Sequence, residues 1–429
     1  MQRYSVRPLT QPLRGSIRPP GSKSITNRAC ICAALADGTT TLTGALDSED
    51  TQVMFSALRT LGLSIQAEGD CWQIQGGAGA MPVREAQLNC ANSGTSIRFL
   101  TAALAVVGGN YHLDGIERMR ERPIADLTAA LRALGANAVP AANGCPPVKL
   151  SGLGAKGGET SVAGDISSQF LSGLLMAAPA ARHPVTIRVD GQLVSAPYVQ
   201  MTIEVMKSFG ARVSVDDQFR QFRISPQTYR ACRYAIEPDA SAASYFWAAA
   251  AITGGEVTVE GLGFDALQGD VDFCRVLQQM GCEVEQRDDG AAAALTVRGG
   301  PLRGVDVDMN HISDTVQTLA AVALHAQGPT RVRGVAHNRH KETDRIADLA
   351  RELRRFGAEV AEHDDGLTIT PPAKLTGAEV ETYNDHRMAM SLALVGLTTP
   401  GVTILNPACT GKTYPGYWDD LERLTASAW

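Results

Sequence analysis

A repeat of about 73 residues constrains the fold of this chain more than any other feature. Six Ala-rich apolar segments each follow a residue that can cap a helix, and each is succeeded by a Gly turn and a strand rich in Thr, Val and Ile. The successive starts are 71, 73, 73, 73 and 71 residues apart, and they lie at Ser24, Thr95, Ser168, Ser241, Asp314 and Asp385.

A second marker has the same period. Five amphipathic segments, such as "LRTLGLSI" and "LQQMGCEV", are typical of a helix that ends at a glycine and leads into a strand. These glycines are Gly62, Gly135, Gly210, Gly281 and Gly357. Two markers with one period predict six α/β units, each with about two helices and several strands. Such units exclude propeller blades, which span roughly 40 to 50 residues.

Six units suggest two similar domains of three repeats each. The sequence predicts one domain over residues 21–237 and a second over residues 1–20 together with 238–429, with the crossover near "YRACRYAIEPDAS". The first helix of each unit is apolar on nearly every face, as in "ISSQFLSGLLMAAPAA". A helix of that kind is predicted to lie buried inside its domain.

Composition narrows the class of protein. Of the 429 residues, 44% are hydrophobic and 20% are charged, as in a globular protein, and a net charge of −6 argues against a nucleic-acid binder. The nine cysteines include no C-x-x-C pair, which favours reduced, buried thiols over a metal site. The longest apolar runs are too short to cross a bilayer, and the N-terminal segment "MQRYSVRPLTQPLRG" lacks the apolar stretch of a signal peptide. We therefore expect a cytoplasmic protein with no nucleic-acid and no membrane partner.

The ends of the buried helices are predicted to bind anions. The first N–H groups of a helix lack internal partners and carry partial positive charge, so converging N-termini attract phosphate or carboxylate. Five of the six ends carry more polar residues than capping requires, whereas "PDASAASYF" in the fourth unit is typical of a purely structural end. The equipped ends hold Lys23, Ser24 and Arg28; Asn92 and Gly94; Ser167, Ser168 and Gln169; Asp314; and His386 with Arg387.

Two further segments concentrate charge. "RMRERPIADL" contains Arg118, Arg120 and Arg122, ahead of a predicted helix start. "HKETDRIADLARELRRFG" predicts a helix whose first turn holds Lys341, Glu342 and Arg345. Lys341 and Arg345 are four residues apart, so they would repel one another unless an anion or a carboxylate lies between them.

In this order, "PGSKSITNRA", "NSGTSIR", "RERPI", "SSQFLSGLL", "HKETDR" and "YNDHRMAM" resemble the 5-enolpyruvylshikimate-3-phosphate synthase family over essentially the whole chain. The resemblance implies a two-domain α/β fold of six βαβαββ repeats, an inside-out barrel with buried parallel helices and an active site in the interdomain cleft. It implies transfer of the enolpyruvyl group of phosphoenolpyruvate to the 5-hydroxyl of shikimate 3-phosphate, with release of phosphate. Neither a cofactor nor a metal is implied, and we expect a monomer.

Carried over position by position, the resemblance implies two sets of binding residues. The shikimate 3-phosphate site would comprise Lys23, Ser24, Arg28, Ser167, Ser168, Gln169, Ser195, Tyr198, Asp314 and Lys341. The phosphoenolpyruvate site would comprise Lys23, Asn92, Gly94, Arg122, Gln169, Glu342, Arg345, His386, Arg387 and Lys412.

Two carboxylates with separate duties suit this reaction. Asp314 would accept the 5-hydroxyl proton, and Glu342 would protonate C3 of phosphoenolpyruvate and later remove that proton. Lys23 would give a proton to the departing phosphate. The sequence leaves this division of roles open.

The chain departs from the common family pattern at two places. His337 and Asn338 stand where many members have a single Asn ahead of the "KETDR" run, which leaves open which of them contacts substrate. Ser93, Ser96 and Phe99 stand where the common form has Ala, Ala and Pro. Glyphosate occupies the phosphoenolpyruvate site in this family, and the presence of Gly94 predicts a sensitive enzyme despite these changes.

Two other functions are compatible with parts of the sequence. The related UDP-N-acetylglucosamine enolpyruvyl transferases share the six-unit design, although their charged loop commonly holds a reactive Cys and "RMRERPI" has none. A non-catalytic anion-binding repeat protein would use the same polar residues only as helix caps and would not need Glu342.

Overall fold

The computed structural model describes residues 2–287 and 293–429, and the chain divides into two compact units. We call Gly21–Ile236 the continuous unit, and Met1–Pro20 together with Glu237–Trp429 the split unit.

The described residues contain twelve α-helices. In chain order these are α1 Lys23–Leu35, α2 Glu49–Thr60, α3 Gly94–Val107, α4 Ala125–Ala133, α5 Ser168–Ala177, α6 Ala196–Ser208, α7 Ala240–Thr253, α8 Phe273–Met280, α9 Val316–Ala323, α10 Ala347–Arg355, α11 His386–Ala393 and α12 Tyr417–Thr425. Short 3-10 helices span Glu117–Glu121, Ala178–Ala180, Gly269–Asp272, Asn310–Thr315, Ala336–His340, Leu394–Leu397 and Pro407–Lys412.

Twenty-five short strands accompany these helices in the described part of the chain. They are β1 Arg3–Ser5, β2 Arg14–Ile17, β3 Ala36–Asp37, β4 Thr39–Thr43, β5 Ile65–Glu68, β6 Cys71–Gln75, β7 Glu85–Asn89, β8 Asn110–Asp114, β9 Asn137–Pro140, β10 Val148–Ser151, β11 Gly158–Ala163, β12 Val185–Asp190, β13 Ser214–Val215, β14 Gln221–Ile224, β15 Tyr229–Arg230, β16 Arg233–Ala235, β17 Glu256–Glu260, β18 Glu283–Arg287, β19 Ala294–Arg298, β20 Asp306–Asp308, β21 Thr330–Arg333, β22 Glu359–His363, β23 Gly366–Thr370, β24 Glu379–Val380 and β25 Thr403–Leu405.

The continuous unit contains three four-stranded sheets of one design. Their strand orders are β7-β8-β10-β9, β11-β12-β14-β13 and β16-β4-β6-β5. In each sheet the first pair is parallel and the other pairs are antiparallel. A helix joins β7 to β8 and another joins β11 to β12, whereas β16 comes from the end of the unit and supplies the missing first strand of the first repeat. The predicted βαβαββ repeat is confirmed.

The split unit uses the same design with a different closure. Two of its sheets have the orders β2-β17-β19-β18 and β20-β21-β23-β22, again with a parallel first pair. The third is β24-β25-β1, in which β24 and β25 are parallel and β1 is antiparallel. The first residues of the chain therefore supply β2 to the fourth repeat and β1 to the sixth, which explains why they fold with the C-terminal half.

The first helix of each repeat is buried, as its apolar faces predict. Every residue of α7 except the last is buried, and the same holds for α3. In the continuous unit α1, α3 and α5 pack against one another, and in the split unit α9 packs against both α7 and α11. Hydroxyl groups join the latter three helices, because Thr318 lies 3.1 Å from Ser244 and 3.2 Å from Ser391, measured between side-chain oxygens.

Most predicted helix starts need small corrections. The N-caps of α1, α3 and α7 are Ser22, Ser93 and Asp239, each two residues before the predicted start, because neighbouring polar residues offered several capping groups. Asp385 does cap α11, and Ser168 is the first residue of α5. Asp314 is not a cap, because it lies within the 3-10 helix Asn310–Thr315, where Ile312 departs from helical geometry.

The glycines that mark the second helix of five repeats lie immediately or shortly after α2, α4, α6, α8 and α10. All five have φ between 80° and 112°, which is the left-handed conformation that ends a helix with least strain at glycine.

The nine cysteines are free thiols and seven are buried. Within residues 2–287 and 293–429, no helix has the length and the apolar character that a membrane span requires.

Candidate active site

The start of α1 presents Lys23. The Ser22 hydroxyl accepts a hydrogen bond from the Ile25 N–H at 3.3 Å and caps the helix, so Ser24 is not the cap. The Lys23 ammonium lies 3.6 Å from a carboxylate oxygen of Asp50, which is buried. The positive end of the helix and the ammonium therefore act together on any nearby anion.

One turn further along α1, the Arg28 guanidinium is held by neutral groups. Its Nε donates to the Thr202 hydroxyl at 2.7 Å and its Nη1 donates to the Ser24 carbonyl at 2.9 Å. Its Nη2 donates to the Ser172 hydroxyl and to the Tyr198 carbonyl. Burial lowers the pKa of Arg28 to about 10. A buried cation with neutral acceptors favours an anionic ligand.

Two aromatic rings also face Arg28. Its guanidinium carbon lies 5.2 Å from the ring centroid of Phe99 and 6.0 Å from that of Tyr198, within cation–π range. Phe99, which replaces the common proline, is thus part of the support of Arg28. Ser195, just before α6, is buried with φ 53°, an unusual conformation for a residue with a side chain. The turn at Ser195 directs the chain into α6, which carries Tyr198.

Arg122 covers the start of α3. Its Nη1 donates to the backbone carbonyl of Asn92 at 3.1 Å and to the Asn92 side-chain oxygen at 3.3 Å. A Cβ atom added to Gly94 would lie 2.5 Å from Nη2 of Arg122. The guanidinium therefore fills the space that a side chain at position 94 would need. The structure brings Asn92, Gly94 and Arg122 together.

Gln169 joins the starts of α3 and α5. Ser167 caps α5 by accepting from the Gln169 N–H at 3.3 Å, and Ser168 is buried beside it. The Gln169 side-chain oxygen accepts from Arg98 Nη1 at 2.7 Å, and its side-chain nitrogen donates to the Thr95 hydroxyl at 3.4 Å. We call the following set, all within Gly21–Ile236, the continuous-unit cluster: Lys23, Ser24, Arg28, Asp50, Asn92, Gly94, Thr95, Arg98, Phe99, Arg122, Ser167, Ser168, Gln169, Ser172, Ser195, Tyr198 and Thr202.

Asp314 is the meeting point of three cations in the split unit. Arg387 Nη2 donates to one of its carboxylate oxygens at 2.7 Å. Lys341 Nζ and Arg345 Nη1 each lie 3.5 Å from the other oxygen. A carboxylate therefore lies between Lys341 and Arg345. Burial lowers the pKa of Lys341, and Asp314 opposes that effect.

Arg345 is buried and contacts three carboxylates. Its Nε and Nη2 donate to the two oxygens of Asp385 at 2.7 and 3.2 Å, and Nη2 lies 2.8 Å from Glu342. Burial alone would lower the pKa of Arg345, but Asp385, Glu342 and Asp314 together raise it above its ordinary value. The guanidinium therefore stays charged.

The prediction that Lys341, Glu342 and Arg345 occupy the first turn of a helix is wrong. The helix α10 begins at Ala347, because the Asp344 carboxylate accepts hydrogen bonds from the N–H groups of Ile346 and Ala347 at its start. The segment between the 3-10 helix Ala336–His340 and α10 is not helical, and it carries Arg345, whose side chain contacts Asp385.

Lys412 and His386 complete a second set, which we call the split-unit cluster. Its members are Asp314, Lys341, Glu342, Arg345, Asp385, His386, Arg387 and Lys412. Lys412 is buried, and its ammonium lies 4.0 Å from Glu342. His386 is the first residue of α11, 1% exposed, and neither of its ring nitrogens has a hydrogen-bond partner among the described residues. Burial, and then the charge of Arg387, holds the pKa of His386 well below its ordinary value. The imidazole is therefore neutral.

His337 lies at the edge of this cluster. Its Nε2 is 3.0 Å from the Ser313 hydroxyl, and burial followed by the charge of Lys341 lowers its pKa to about 3. Asn338 is fully buried, and its side-chain nitrogen donates to the Ser313 carbonyl at 2.9 Å. The carbonyl of Asn338 accepts from the Arg345 N–H. Asn338 thus supports the backbone near Arg345, and His337 is the residue placed near Asp314 and Lys341.

Some charged residues that the sequence analysis singled out belong to neither cluster. Conversely, the sequence analysis did not predict some of the residues that form the clusters. Arg118 pairs with Glu121 and Arg120 pairs with Asp114. Asp50 and Arg98 were not predicted to contact Lys23 and Gln169, although Arg98 lies in the "NSGTSIR" segment. Asp385 was predicted only as a helix start. Within the described ranges, no group of three or more His, Cys, Asp or Glu side chains is arranged to hold a metal ion.

Comparisons with known proteins identify the family. Residues 9–421 match the family model described as EPSP synthase (3-phosphoshikimate 1-carboxyvinyltransferase). The 3-phosphoshikimate 1-carboxyvinyltransferase of Shewanella sp. (strain W3-18-1) is 47% identical over 429 residues, covering 99% of this chain and 100% of the relative. That of Erwinia tasmaniensis is 48% identical over 417 residues, covering 96% of each chain.

Solved structures agree with this assignment. EPSP synthase from Acinetobacter baumannii superposes with a TM-score of 0.81 at 27% identity, covering 100% of this chain and 98% of that one. The enolpyruvyl transferase NikO from Streptomyces tendae has the same fold, with a TM-score of 0.78 at 20% identity, covering 98% of this chain and 96% of that one.

These comparisons favour transfer to shikimate 3-phosphate over both alternatives that the sequence left open. The chain belongs to the EPSP synthase family, the 3-phosphoshikimate 1-carboxyvinyltransferases, and catalyses the transfer of the enolpyruvyl group of phosphoenolpyruvate to shikimate 3-phosphate.

Proposed function

We propose that the continuous-unit cluster and the split-unit cluster bind the two substrates of this reaction and perform its proton transfers. The observation that carries the proposal is an excess of buried or half-buried cations over carboxylates. The two clusters contain eight such cations and four carboxylates: Lys23, Arg28, Arg98, Arg122, Lys341, Arg345, Arg387 and Lys412, with Asp50, Asp314, Glu342 and Asp385. Phosphoenolpyruvate and shikimate 3-phosphate together bring two phosphates and two carboxylates, which would balance this charge.

Shikimate 3-phosphate is assigned to the hydroxyl-rich part of the continuous-unit cluster and to two residues of the split unit. Arg28, held only by neutral acceptors, suits the substrate carboxylate. The start of α5, with the capping Ser167 and the adjacent Ser168, suits its phosphate. The full set is Lys23, Ser24, Arg28, Ser167, Ser168, Gln169, Ser195, Tyr198, Asp314 and Lys341, and His337 is a further candidate near the last two.

Phosphoenolpyruvate is assigned to a set of residues that includes five cations. Arg122 at the start of α3 and Arg387 at the start of α11 each add a guanidinium to the positive end of a buried helix. The full set is Lys23, Asn92, Gly94, Arg122, Gln169, Glu342, Arg345, His386, Arg387 and Lys412.

Two carboxylates divide the acid–base work in this proposal. Asp314, which contacts three cations, accepts the proton of the 5-hydroxyl as that oxygen attacks C2. Glu342 delivers a proton to C3 of phosphoenolpyruvate and removes one from it when the tetrahedral intermediate collapses. Lys23 protonates the phosphate that leaves. We further propose that the protein acts as a cytoplasmic monomer without a metal or cofactor, with charge neutralisation supplied by the lysines and arginines.

Replacing Glu342 by Gln should abolish turnover while both substrates still bind. The amide keeps the shape of the side chain but cannot shuttle protons, and each proton-transfer step contributes about 10² to 10⁴ in rate. We expect kcat to fall by about 10⁴-fold or more, measured as phosphate release with phosphoenolpyruvate and shikimate 3-phosphate. UDP-N-acetylglucosamine in place of shikimate 3-phosphate is the control acceptor and should support no release. A near-normal kcat in the variant would remove Glu342 from the mechanism.

Replacing Gly94 by Ala should weaken phosphoenolpyruvate binding. The new methyl group would meet the Arg122 guanidinium at 2.5 Å, so that guanidinium must move. A displacement of about 1 Å can cost about 100-fold in a tight site. We expect the KM for phosphoenolpyruvate to rise at least about tenfold and inhibition by glyphosate to weaken further.

Gly416→Ala is the matched control for this substitution, because an added Cβ there meets no atom within 4 Å and φ is −86°. Its KM should equal that of the unaltered protein. An unchanged KM in Gly94→Ala would show that Arg122 does not contact phosphoenolpyruvate from its observed position.

Lys341 should impose an alkaline limit on the use of shikimate 3-phosphate. Burial lowers the pKa of Lys341. Its ammonium is therefore charged at low pH and, as pH rises, loses its proton at a lower pH than an ordinary lysine does. The value of kcat/KM for shikimate 3-phosphate, which reports the free enzyme, should fall over the same range. Lys341→Arg stays charged to higher pH, so its alkaline limb should move upward even if its maximum is lower. Coincident limbs in the two proteins would assign the limit to another group.

A further inference from the structure

We infer that Arg98 is a positioning residue that fixes which end of the Gln169 side-chain amide faces the substrates. The inference rests on the proposed function, in which Gln169 contacts both shikimate 3-phosphate and phosphoenolpyruvate. Arg98 itself is assigned to neither ligand. Its role would be to decide which chemical groups Gln169 recognises.

The argument begins with the donor inventory of the two side chains. A guanidinium has only N–H donors, whereas a carboxamide has a donor end and an acceptor end. Arg98 Nη1 lies 2.7 Å from the Gln169 side-chain oxygen. The reversed amide would place two donors against each other, so Arg98 fixes the amide orientation. The Thr95 hydroxyl, 3.4 Å from the Gln169 nitrogen, accepts from the opposite end.

Arg98 is itself held firmly enough to act in this way. It is 5% exposed, and its Nη2 donates to the Pro123 carbonyl at 3.2 Å. Its guanidinium carbon lies 5.1 Å from the ring centroid of Phe170. These contacts tie α3, which carries Arg98, to α5 and to the residue that follows Arg122. A long side chain with this many partners has little freedom to release Gln169.

The consequence is a restriction on the ligand. The Gln169 oxygen is turned toward Arg98 and one N–H is donated to Thr95, so the group that remains for a ligand at the nitrogen end is the second N–H, which pairs with an acceptor such as a phosphate oxygen, a carboxylate oxygen or a lone pair of a hydroxyl. A hydroxyl bound in this way keeps its own proton free for removal by a base. Arg98 would thereby set both the specificity of Gln169 for anionic or lone-pair partners and the orientation of an attacking hydroxyl.

A double-mutant cycle tests this inference directly. Arg98→Met removes the donors but keeps much of the side-chain volume, and Gln169→Ala removes the amide. Each single variant should raise the KM for phosphoenolpyruvate or shikimate 3-phosphate by about 10- to 100-fold, the worth of a hydrogen bond to a charged group, while kcat changes less. In the Gln169→Ala background, Arg98→Met should add less than about twofold, since the residue through which it acts is gone.

Two further variants separate positioning from folding. Arg98→Lys retains one donor and should recover part of the loss, which makes the test informative even where Arg98→Met folds poorly. Arg182→Met is the matched control, because Arg182 also donates to a backbone carbonyl of the continuous unit, that of Leu153, but has no contact with Gln169. Its KM values should equal those of the unaltered protein, and circular dichroism melting should confirm that all variants are folded.

The outcomes distinguish the inference from the proposed function. Effects of Arg98→Met and Gln169→Ala that multiply in the double variant would overturn the inference alone, since Arg98 would then act independently of Gln169. Unchanged KM values in Gln169→Ala would overturn the assignment of Gln169 to the substrates, and the inference with it.

Discussion

The split-unit cluster depends on one buried arginine. Arg345 lies within 3.5 Å of carboxylate oxygens of Asp314, Glu342 and Asp385, which come from three separate segments of the chain. A buried charge without partners would be very costly, so the position of Arg345 and the positions of these segments determine one another. Asp385 also caps α11 through the Arg387 N–H, which joins the ion pairs to the start of a buried helix.

The continuous unit solves the corresponding problem with neutral groups. Arg28 is held by hydroxyls, backbone carbonyls and two aromatic rings, and Gln169 is held by Arg98 and Thr95. A guanidinium with neutral acceptors retains its attraction for an anion, whereas the pKa of Arg345, which is paired with carboxylates, is raised above its ordinary value, so that guanidinium stays charged. The same repeat thus holds a buried guanidinium with neutral acceptors in one unit and one with carboxylate partners in the other.

Periodic features of the sequence predicted much of the fold. The six buried helices and the five helix-ending glycines depend on local pattern and on backbone conformation, and both are visible in a single sequence. Contacts between distant segments are not local, so Asp50 beside Lys23 and Arg98 beside Gln169 could not be derived. The non-helical path from Lys341 to Arg345 was missed for a related reason, because the contacts of Arg345 with Asp314 and Asp385 join distant segments and leave no mark in the local pattern.

The family resemblance named most of the residues that form the two clusters, but it did not supply the interactions that hold them. Phe99 illustrates the difference. As a departure from the common proline it suggested a change near Gly94, whereas the structure places its ring against Arg28, which lies on a different helix, α1. The support of each charged group is therefore specific to the packing of its unit.

The most direct measurement of this account is the KM for phosphoenolpyruvate of Asp385→Asn, with shikimate 3-phosphate saturating. Asp385 contacts no substrate in the proposed function, yet it holds both Arg345 and the start of α11, so the account predicts an increase of roughly 10- to 100-fold. Asp306→Asn, which breaks the exposed pair with Arg333 in the same unit, should leave that KM unchanged. An equal and normal KM in both variants would contradict the claim that the buried ion pairs of Arg345 organise the site.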